Sequence, residues 1–133
     1  MEELELAIQS QKKVIALNEK ADYHLAIDLA VTLLEVFQKN QKWEEFIKAK
    51  SEIAFAYMAL GELKLVKQIL KEILELGLRF FDDEHIVIGA IYSDFGYFYA
   101  QIMGDSLTAM PYFQKALHIN KKIHGHAHQS TQD

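Results

Sequence analysis

The sequence contains no cysteine, one proline and six glycines among its 133 residues. Without cysteine, the chain can form no disulfide and offers no thiolate ligand to a metal. The scarcity of glycine and proline, together with abundant Leu, Ala, Glu, Lys and Ile, favours helix over sheet. Half of the residues are hydrophobic, so we expect one domain that is large enough to bury a core.

Basic charge and long hydrophobic runs are also scarce. The formal net charge is −5, and a chain without clustered Lys and Arg is a poor partner for nucleic acid. Apolar runs such as residues 86–92 (IVIGAIY) are far shorter than the roughly 20 residues that span a bilayer. The N-terminal stretch MEELELAI carries acidic side chains where a signal peptide carries basic ones. We therefore expect no nucleic-acid partner, no membrane association and a cytoplasmic location.

Hydrophobic residues recur at helical spacing along most of the chain, and the breaks are short. The predicted helices span residues 2–20, 22–38, 41–60, 62–76, 83–103 and 105–123. A glycine after a helix provides a left-handed cap, and an Asp can cap the helix that follows. Because Gly104 and Asp105 do both within two residues, helices five and six should form a tight antiparallel hairpin. Residues 126–133 should form a frayed tail.

An internal repeat divides these helices into pairs. Residues 53–57 (IAFAY) recur as residues 95–99 (FGYFY), an offset of 42, whereas Gly61 and Gly104 are offset by 43. One extra residue therefore lies between the second copy and Gly104. Residues 21–34 form a weaker earlier copy. Three helix–turn–helix repeats of about forty residues fit this pattern better than a bundle.

The last repeat resembles the tetratricopeptide repeat. The positions that carry the resemblance are Phe95, Gly96, Tyr99, Gly104, Ala109, Phe113 and Ala116. Residues 109–128 (AMPYFQKALHINKKIHGHAH), with their proline and their closing Gly and His, are most similar to the kinesin light chain type of this repeat. The resemblance is strong over residues 84–128, fair over 43–77 and weak over 1–38.

This resemblance implies an all-α solenoid of three hairpins, wound as a right-handed superhelix within a single domain over residues 1–125. The units would span about 1–40, 41–82 and 83–125. Small residues let two helices approach closely where the partner helix presents a ring. We expect Gly96 and Ala109 to face each other inside the last hairpin, with Tyr99 and Phe113 filling the space around them.

The resemblance also implies a non-catalytic scaffold that holds a peptide or a helix of a partner protein in a concave groove. The first helix of each hairpin lines that groove. Carried onto this sequence, the groove positions are Lys48, Ser51, Phe55, Met58 and Ala59 in the second unit, and Ala90, Ser93, Tyr97 and Gln101 in the third. For Phe55 and Tyr97 the alternative is ordinary packing in the core.

Two other functions remain open. Helix six carries an apolar set, and no seventh helix follows to cover it, so the chain could form a homodimer through its C-terminal hairpin. That set comprises Met110, Tyr112, Phe113, Leu117 and Ile123. Alternatively, the chain could be the N-terminal regulatory part of a longer repeat protein.

Residues 82–85 (DDEH) group carboxylates with an imidazole, as acid–base catalysis requires. The cluster also stands at the start of a helix, where Asp82 or Asp83 can cap free N–H groups and Glu84 can meet the positive helix end. We favour the structural reading, and we expect no enzyme activity and no cofactor.

The histidines His124, His126 and His128 resemble a metal-binding tract. A structural zinc site needs four fixed ligands, and this end of the chain offers no second set of rigidly held ligands to complete it. We therefore expect no metal site.

Overall fold

The computed structural model describes the backbone of residues 2–132 and the side chains of residues 2–125. Its helices are α1 (Glu3–Glu19), α2 (Tyr23–Lys39), α3 (Trp43–Leu60), α4 (Leu63–Phe80), α5 (Ile86–Tyr97) and α6 (Ser106–Gln132). A π-helical turn, Phe98–Ile102, continues α5. The described part of the chain is thus all-helical, as predicted, and its helices pack in neighbouring pairs.

Helix–helix packing divides the chain into two compact units, Met1–Gly77 and Leu78–Asp133. The boundary lies inside α4 and not at a predicted break between repeats. The first unit contains α1, α2, α3 and most of α4, and the second contains α5, the π-helical turn and α6. A single repeat domain over residues 1–125 stays a prediction.

The same turn ends each of the first three helices. One residue adopts a positive φ, and the N–H of the next residue donates to the carbonyl five positions earlier, at 2.8–2.9 Å. This hydrogen bond is that of the Schellman motif. The left-handed residues are Ala21, Gln41 and Gly61. They stand 20 residues apart, so each helix with its turn occupies 20 residues and each pair occupies forty.

A buried polar contact joins α1 to α3 within the first unit. Asn18 is 4% exposed, and its amide nitrogen donates to the backbone carbonyl of Glu52 and to the Glu52 carboxylate, both at 3.0 Å. A buried amide is tolerated where it is hydrogen-bonded. Asn18 therefore fixes the two helices at this point, although nothing in its sequence context distinguishes it from a surface residue.

In the second unit, α5 and α6 run antiparallel. A Cβ added at Gly89 would lie 3.1 Å from the side chain of Ile119, and one added at Gly96 would lie 2.6 Å from the ring of Phe113. The later residue of α5, Gly96, thus contacts the earlier residue of α6, Phe113. This order confirms the predicted antiparallel hairpin. Gly96 lies under the Phe113 ring. A direct contact between Gly96 and Ala109 stays a prediction.

The π-helical turn explains the extra residue in the repeat. The Met103 N–H donates to the Phe98 carbonyl at 3.0 Å, a spacing of five residues instead of four. Gly104 then takes the left-handed conformation, and the Asp105 N–H donates to the Tyr99 carbonyl, six positions earlier, at 2.7 Å. One additional residue is thereby accommodated inside the helix and not in the loop.

Three predicted boundaries were wrong. Helix α4 continues to Phe80 instead of ending at residue 76, and Gly77, read as part of a break, is buried within it. Helix α5 begins at Ile86 instead of 83, and α6 continues to Gln132. The side chains of residues 126–133 lie outside the described residues, so the frayed tail stays a prediction.

The close contact at Gly96 can be tested by overpacking. Gly96→Leu should lower the free energy of unfolding by about 1–3 kcal/mol, because the new side chain meets the Phe113 ring. The matched control is Gly125→Leu, where a Cβ has no neighbour within 4 Å, and its stability should not fall. Urea denaturation measures both. If Phe113→Ala leaves the cost of Gly96→Leu unchanged, the ring is not the obstacle.

Candidate functional site

The predicted groove residues of the second repeat lie on one face of α3, since residues 48, 51, 55 and 58 recur at helical spacing. Lys48 is exposed and Ser51 is half-buried. Phe55 is 39% exposed, whereas Met58 is 7% exposed. The Met58 side chain is therefore not accessible to a binding partner. The surface of α3 that remains consists of Lys48, Ser51 and Phe55, with the exposed Ala59 beside them.

The residues predicted in the third repeat lie at intervals of four along α5 and the π-helical turn. Ser93 is half-buried and Gln101 is exposed. Ala90, one turn before Ser93, is also exposed. Tyr97 is 42% exposed although Phe98 beside it is fully buried. These residues belong to the second compact unit, and those of α3 belong to the first. We therefore describe the two surfaces separately.

An aromatic stack holds α5 and the π-helical turn against α6. The Tyr112 ring lies parallel to Phe95, with centroids 4.7 Å apart, and to Tyr99, at 5.8 Å. Tyr92 adds a tilted contact to the same ring at 6.3 Å. Tyr112 is thus part of the packing inside the hairpin, and its assignment to the uncovered face of helix six was wrong.

The stack also changes the acidity of Tyr112. Burial, and secondly the neighbouring Tyr99, raise the pKa of the Tyr112 phenol above its ordinary value of 10.0. Because a charged phenolate is disfavoured there, the folded chain holds this proton more tightly than the unfolded chain does.

This shift predicts an alkaline loss of stability. A group whose pKa is raised on folding stabilises the fold fully below its ordinary pKa, and the contribution is lost as the pH rises through the folded pKa. The urea midpoint should therefore fall above about pH 10. Tyr112→Phe keeps the stacked ring without the phenol, so its midpoint should fall less. Equal losses in the two proteins would contradict the shift.

The DDEH cluster is built into the start of α5. The Asp82 carboxylate accepts from the Glu84 N–H at 2.9 Å and closes a turn before the helix. His85 is the residue that caps α5, because its Nδ1 accepts from the Val87 N–H at 3.1 Å. The predicted cap at Asp82 or Asp83 was therefore wrong.

Glu84 belongs to an ion-pair cluster with α6. Its carboxylate lies 2.6 Å from the Lys122 ammonium and 3.7 Å from the His118 Nε2. The hydrogen bond to Glu84 raises the pKa of Lys122. Three members of the cluster thus have structural partners: a turn for Asp82, a helix cap for His85 and α6 for Glu84.

No group of three His, Cys, Asp or Glu side chains among the described residues is placed to hold a metal ion. Of the C-terminal histidines, His124 is exposed. The side chains of His126 and His128 lie outside the described residues.

The cap at His85 can be tested by substitution. His85→Ala removes the acceptor for the Val87 N–H and should cost about 1 kcal/mol of stability, as the loss of other N-caps does. His85→Asn supplies a strong capping side chain at the same position and should retain most of that stability. Thermal or urea unfolding distinguishes them, and a similar loss in both variants would show that the cap is not what His85 contributes.

Several exposed hydrophobic side chains form an apolar face on α6. Leu107 is 83% exposed, Met110 is 51% exposed and Leu117 is 53% exposed, with Phe113 between them. A groove of about 330 Å³ runs beside these side chains. Its lining comprises Ala100, Ser106, Ala109, Met110, Phe113, Gln114 and Leu117. Met110, Phe113 and Leu117 were predicted to lie uncovered, whereas Leu107 was not recognised from the sequence.

No family model, curated protein or solved structure matches this chain. Within the described residues, every helix is too short or too polar to cross a bilayer.

Proposed function

We propose that this chain is a non-catalytic protein-interaction module of the tetratricopeptide type, which binds a peptide or helical segment of a partner protein. The observation that carries the proposal is the exposure of Tyr97. This large ring stands at the surface, whereas the neighbouring rings of Phe95 and Phe98 are buried. Rings of this kind dominate binding energy at protein interfaces, because they offer much apolar area at a low cost in entropy.

The surroundings of Tyr97 suit a polypeptide ligand. Ser93 and Gln101 lie one turn before and one turn after it, and Gln101 is exposed. Amide and hydroxyl groups hydrogen-bond to a peptide backbone, while the tyrosine ring packs against apolar side chains and its hydroxyl adds a further bond. The partner segment should therefore carry at least one apolar side chain flanked by accessible backbone groups.

The surface on α3 supports the same proposal independently. Phe55 is exposed on the face that also carries Lys48. An aromatic ring and a cation two turns apart on one helix face favour a segment that combines an apolar residue with a carboxylate. Met58 has no part in this surface, since it is buried.

The arrangement of residues 82–85 supports a function without catalysis. General acid–base chemistry needs a carboxylate or imidazole that is placed to exchange a proton with a substrate. Here Asp82 accepts a backbone hydrogen bond, Glu84 pairs with Lys122, and the Nδ1 of His85 is engaged by the helix start. These groups thus stabilise the start of α5 and its contact with α6.

The experiment compares two tyrosines. Photo-crosslinking from position 97 identifies a bound protein, and calorimetry with the purified partner then measures affinity. Tyr97→Ala should weaken binding about thirtyfold, near 2 kcal/mol, with little change in melting temperature. Tyr99→Ala should instead lower the melting temperature, because Tyr99 stacks on Tyr112.

Leu25→Ala is the control for non-specific loss of binding, since Leu25 is an exposed residue of α2, which carries none of the proposed contacts. Binding by this variant should equal that of the parent. If Tyr97→Ala melts as early as Tyr99→Ala, then Tyr97 contributes to the core. The interaction surface is then not where we place it.

A further inference from the structure

His85 caps α5 with a group that can change its charge. Its Nδ1 accepts a hydrogen bond from the Val87 N–H at 3.1 Å, and its backbone carbonyl accepts from the N–H groups of Ile88 and Gly89 at 3.0 and 3.2 Å. A neutral imidazole has one acceptor nitrogen and one donor nitrogen, whereas both nitrogens of the protonated ring are donors. Only the neutral ring with its proton on Nε2 can therefore form this cap.

The position of the ring also disfavours a positive charge. The free N–H groups at the start of a helix carry a partial positive charge, which attracts anions and repels cations. Protonation of His85 thus turns a stabilising group at the start of α5 into an unfavourable one. The side chains that cap most helices, those of Asp, Asn, Ser and Thr, undergo no such change between about pH 5.5 and 8.

Carboxylates lie near the His85 ring. A cleft of about 310 Å³ at the start of α5 is lined by Asp82, Glu84, His85, Lys122 and Ile123. The Lys122 ammonium lies 2.6 Å from the Glu84 carboxylate and interacts more weakly with Asp82 and Asp83. A protonated His85 would be a second cation in this cleft, repelled by the helix start and attracted by the carboxylates.

We propose that His85 is a proton-sensitive cap: the neutral ring holds the first turn of α5, and the protonated ring releases the Val87 N–H and pairs with the carboxylates of this cleft. The trigger is a fall in pH from about 8 to 5.5, the range in which histidine is the side chain that ordinarily changes charge. The change is confined to the first turn, because the close contact of α5 with α6 begins at Gly89. It does not depend on the surface around Tyr97.

A second histidine near the cleft has to be distinguished from His85. The Nε2 of His118, in α6, lies 3.7 Å from the Glu84 carboxylate. Its protonation adds a cation beside a carboxylate that joins α6 to the start of α5, which favours the junction. Protonation of His85 instead loosens the first turn. The two histidines therefore act in opposite directions and can be separated by substitution.

The experiment follows single groups of the full chain by NMR between about pH 8 and 5.5. The imidazole nitrogen shifts report which ring nitrogen of His85 carries the proton, and hydrogen exchange reports whether the Val87 N–H is bonded. At the higher pH, Nδ1 should be unprotonated and Val87 protected. As the ring becomes protonated, exchange at Val87, corrected for the intrinsic rate at each pH, should become about fivefold faster, as the loss of a typical side-chain cap predicts.

Thr108 is a matched control within the same molecule. Its N–H donates to the Asp105 carboxylate at 3.1 Å in the first turn of α6, so it is also protected by a side-chain cap. The hydrogen bonds from Thr108 lower the pKa of Asp105, so this carboxylate stays charged over the whole range. Thr108 should therefore be equally protected at both ends of the pH range.

Two variants complete the design. His85→Asn supplies a capping side chain that does not titrate, so Val87 should stay protected at both pH values. His118→Gln removes the other titrating ring beside Glu84, and the loss of protection at Val87 should remain as large as in the parent.

The proposal is wrong if Nδ1 carries the proton at the higher pH, or if the protection of Val87 does not change as the His85 ring is protonated. An equal change in His85→Asn would also overturn it. A loss that disappears in His118→Gln would assign the effect to His118 instead. An equal loss at Thr108 would indicate a general opening of the hairpin in acid and not the release of one cap.

Discussion

The left-handed turn that ends each of the first three helices determines the arrangement around it. One residue at positive φ and one hydrogen bond to the carbonyl five positions back stop the helix at a defined residue. Gly61 adopts this conformation without steric cost, but Ala21 and Gln41 each accept roughly 1–2 kcal/mol of strain. The packing of the neighbouring helices has to offset that strain. In return, three helices end at equal intervals, and equal intervals let successive helices bury the same face.

The second unit depends in a similar way on missing side chains. Gly89 and Gly96 bring α5 against Ile119 and Phe113 of α6, and Tyr112 then reaches Phe95 and Tyr99 across the gap. Because the two backbones lie this close, steric contacts restrict the orientations that the aromatic rings can adopt. The parallel stack is therefore a result of the glycine contact as much as of ring–ring attraction. Tyr97, pointing away from this contact, is left at the surface.

Much of this could be predicted from the sequence. Helical periodicity and the glycines gave the six helices and the hairpin of α5 and α6, and the change of offset before Gly104 indicated the extra residue. The left-handed conformations of Ala21 and Gln41 could not be predicted, because neither residue type favours them. The end of α4 was missed for the opposite reason, since Gly77 was read as a break although it lies buried inside the helix.

The candidate surfaces were predictable in outline and not in detail. Repeat spacing correctly separated Tyr97 from Phe95, because residues two apart on a helix point in different directions. It placed Met58 on the surface with Phe55, although Met58 is buried. At the start of α5, the sequence indicated Asp82 or Asp83 as the cap, because Asp is a preferred capping residue. Only the path of the backbone decides that His85 is the residue that caps the helix.

The π-helical turn at Phe98–Ile102 also bears on how this chain tolerates change. Inserting one residue into a regular α-helix rotates everything beyond it by about 100°, which would turn a buried stripe toward solvent. A local widening of the helix absorbs that rotation, so the faces before and after it keep their orientation. The insertion of a single residue in this segment therefore leaves the packing of the hairpin almost unchanged. Repeats of unequal length can in this way coexist in one gene without disturbing the contacts between their helices.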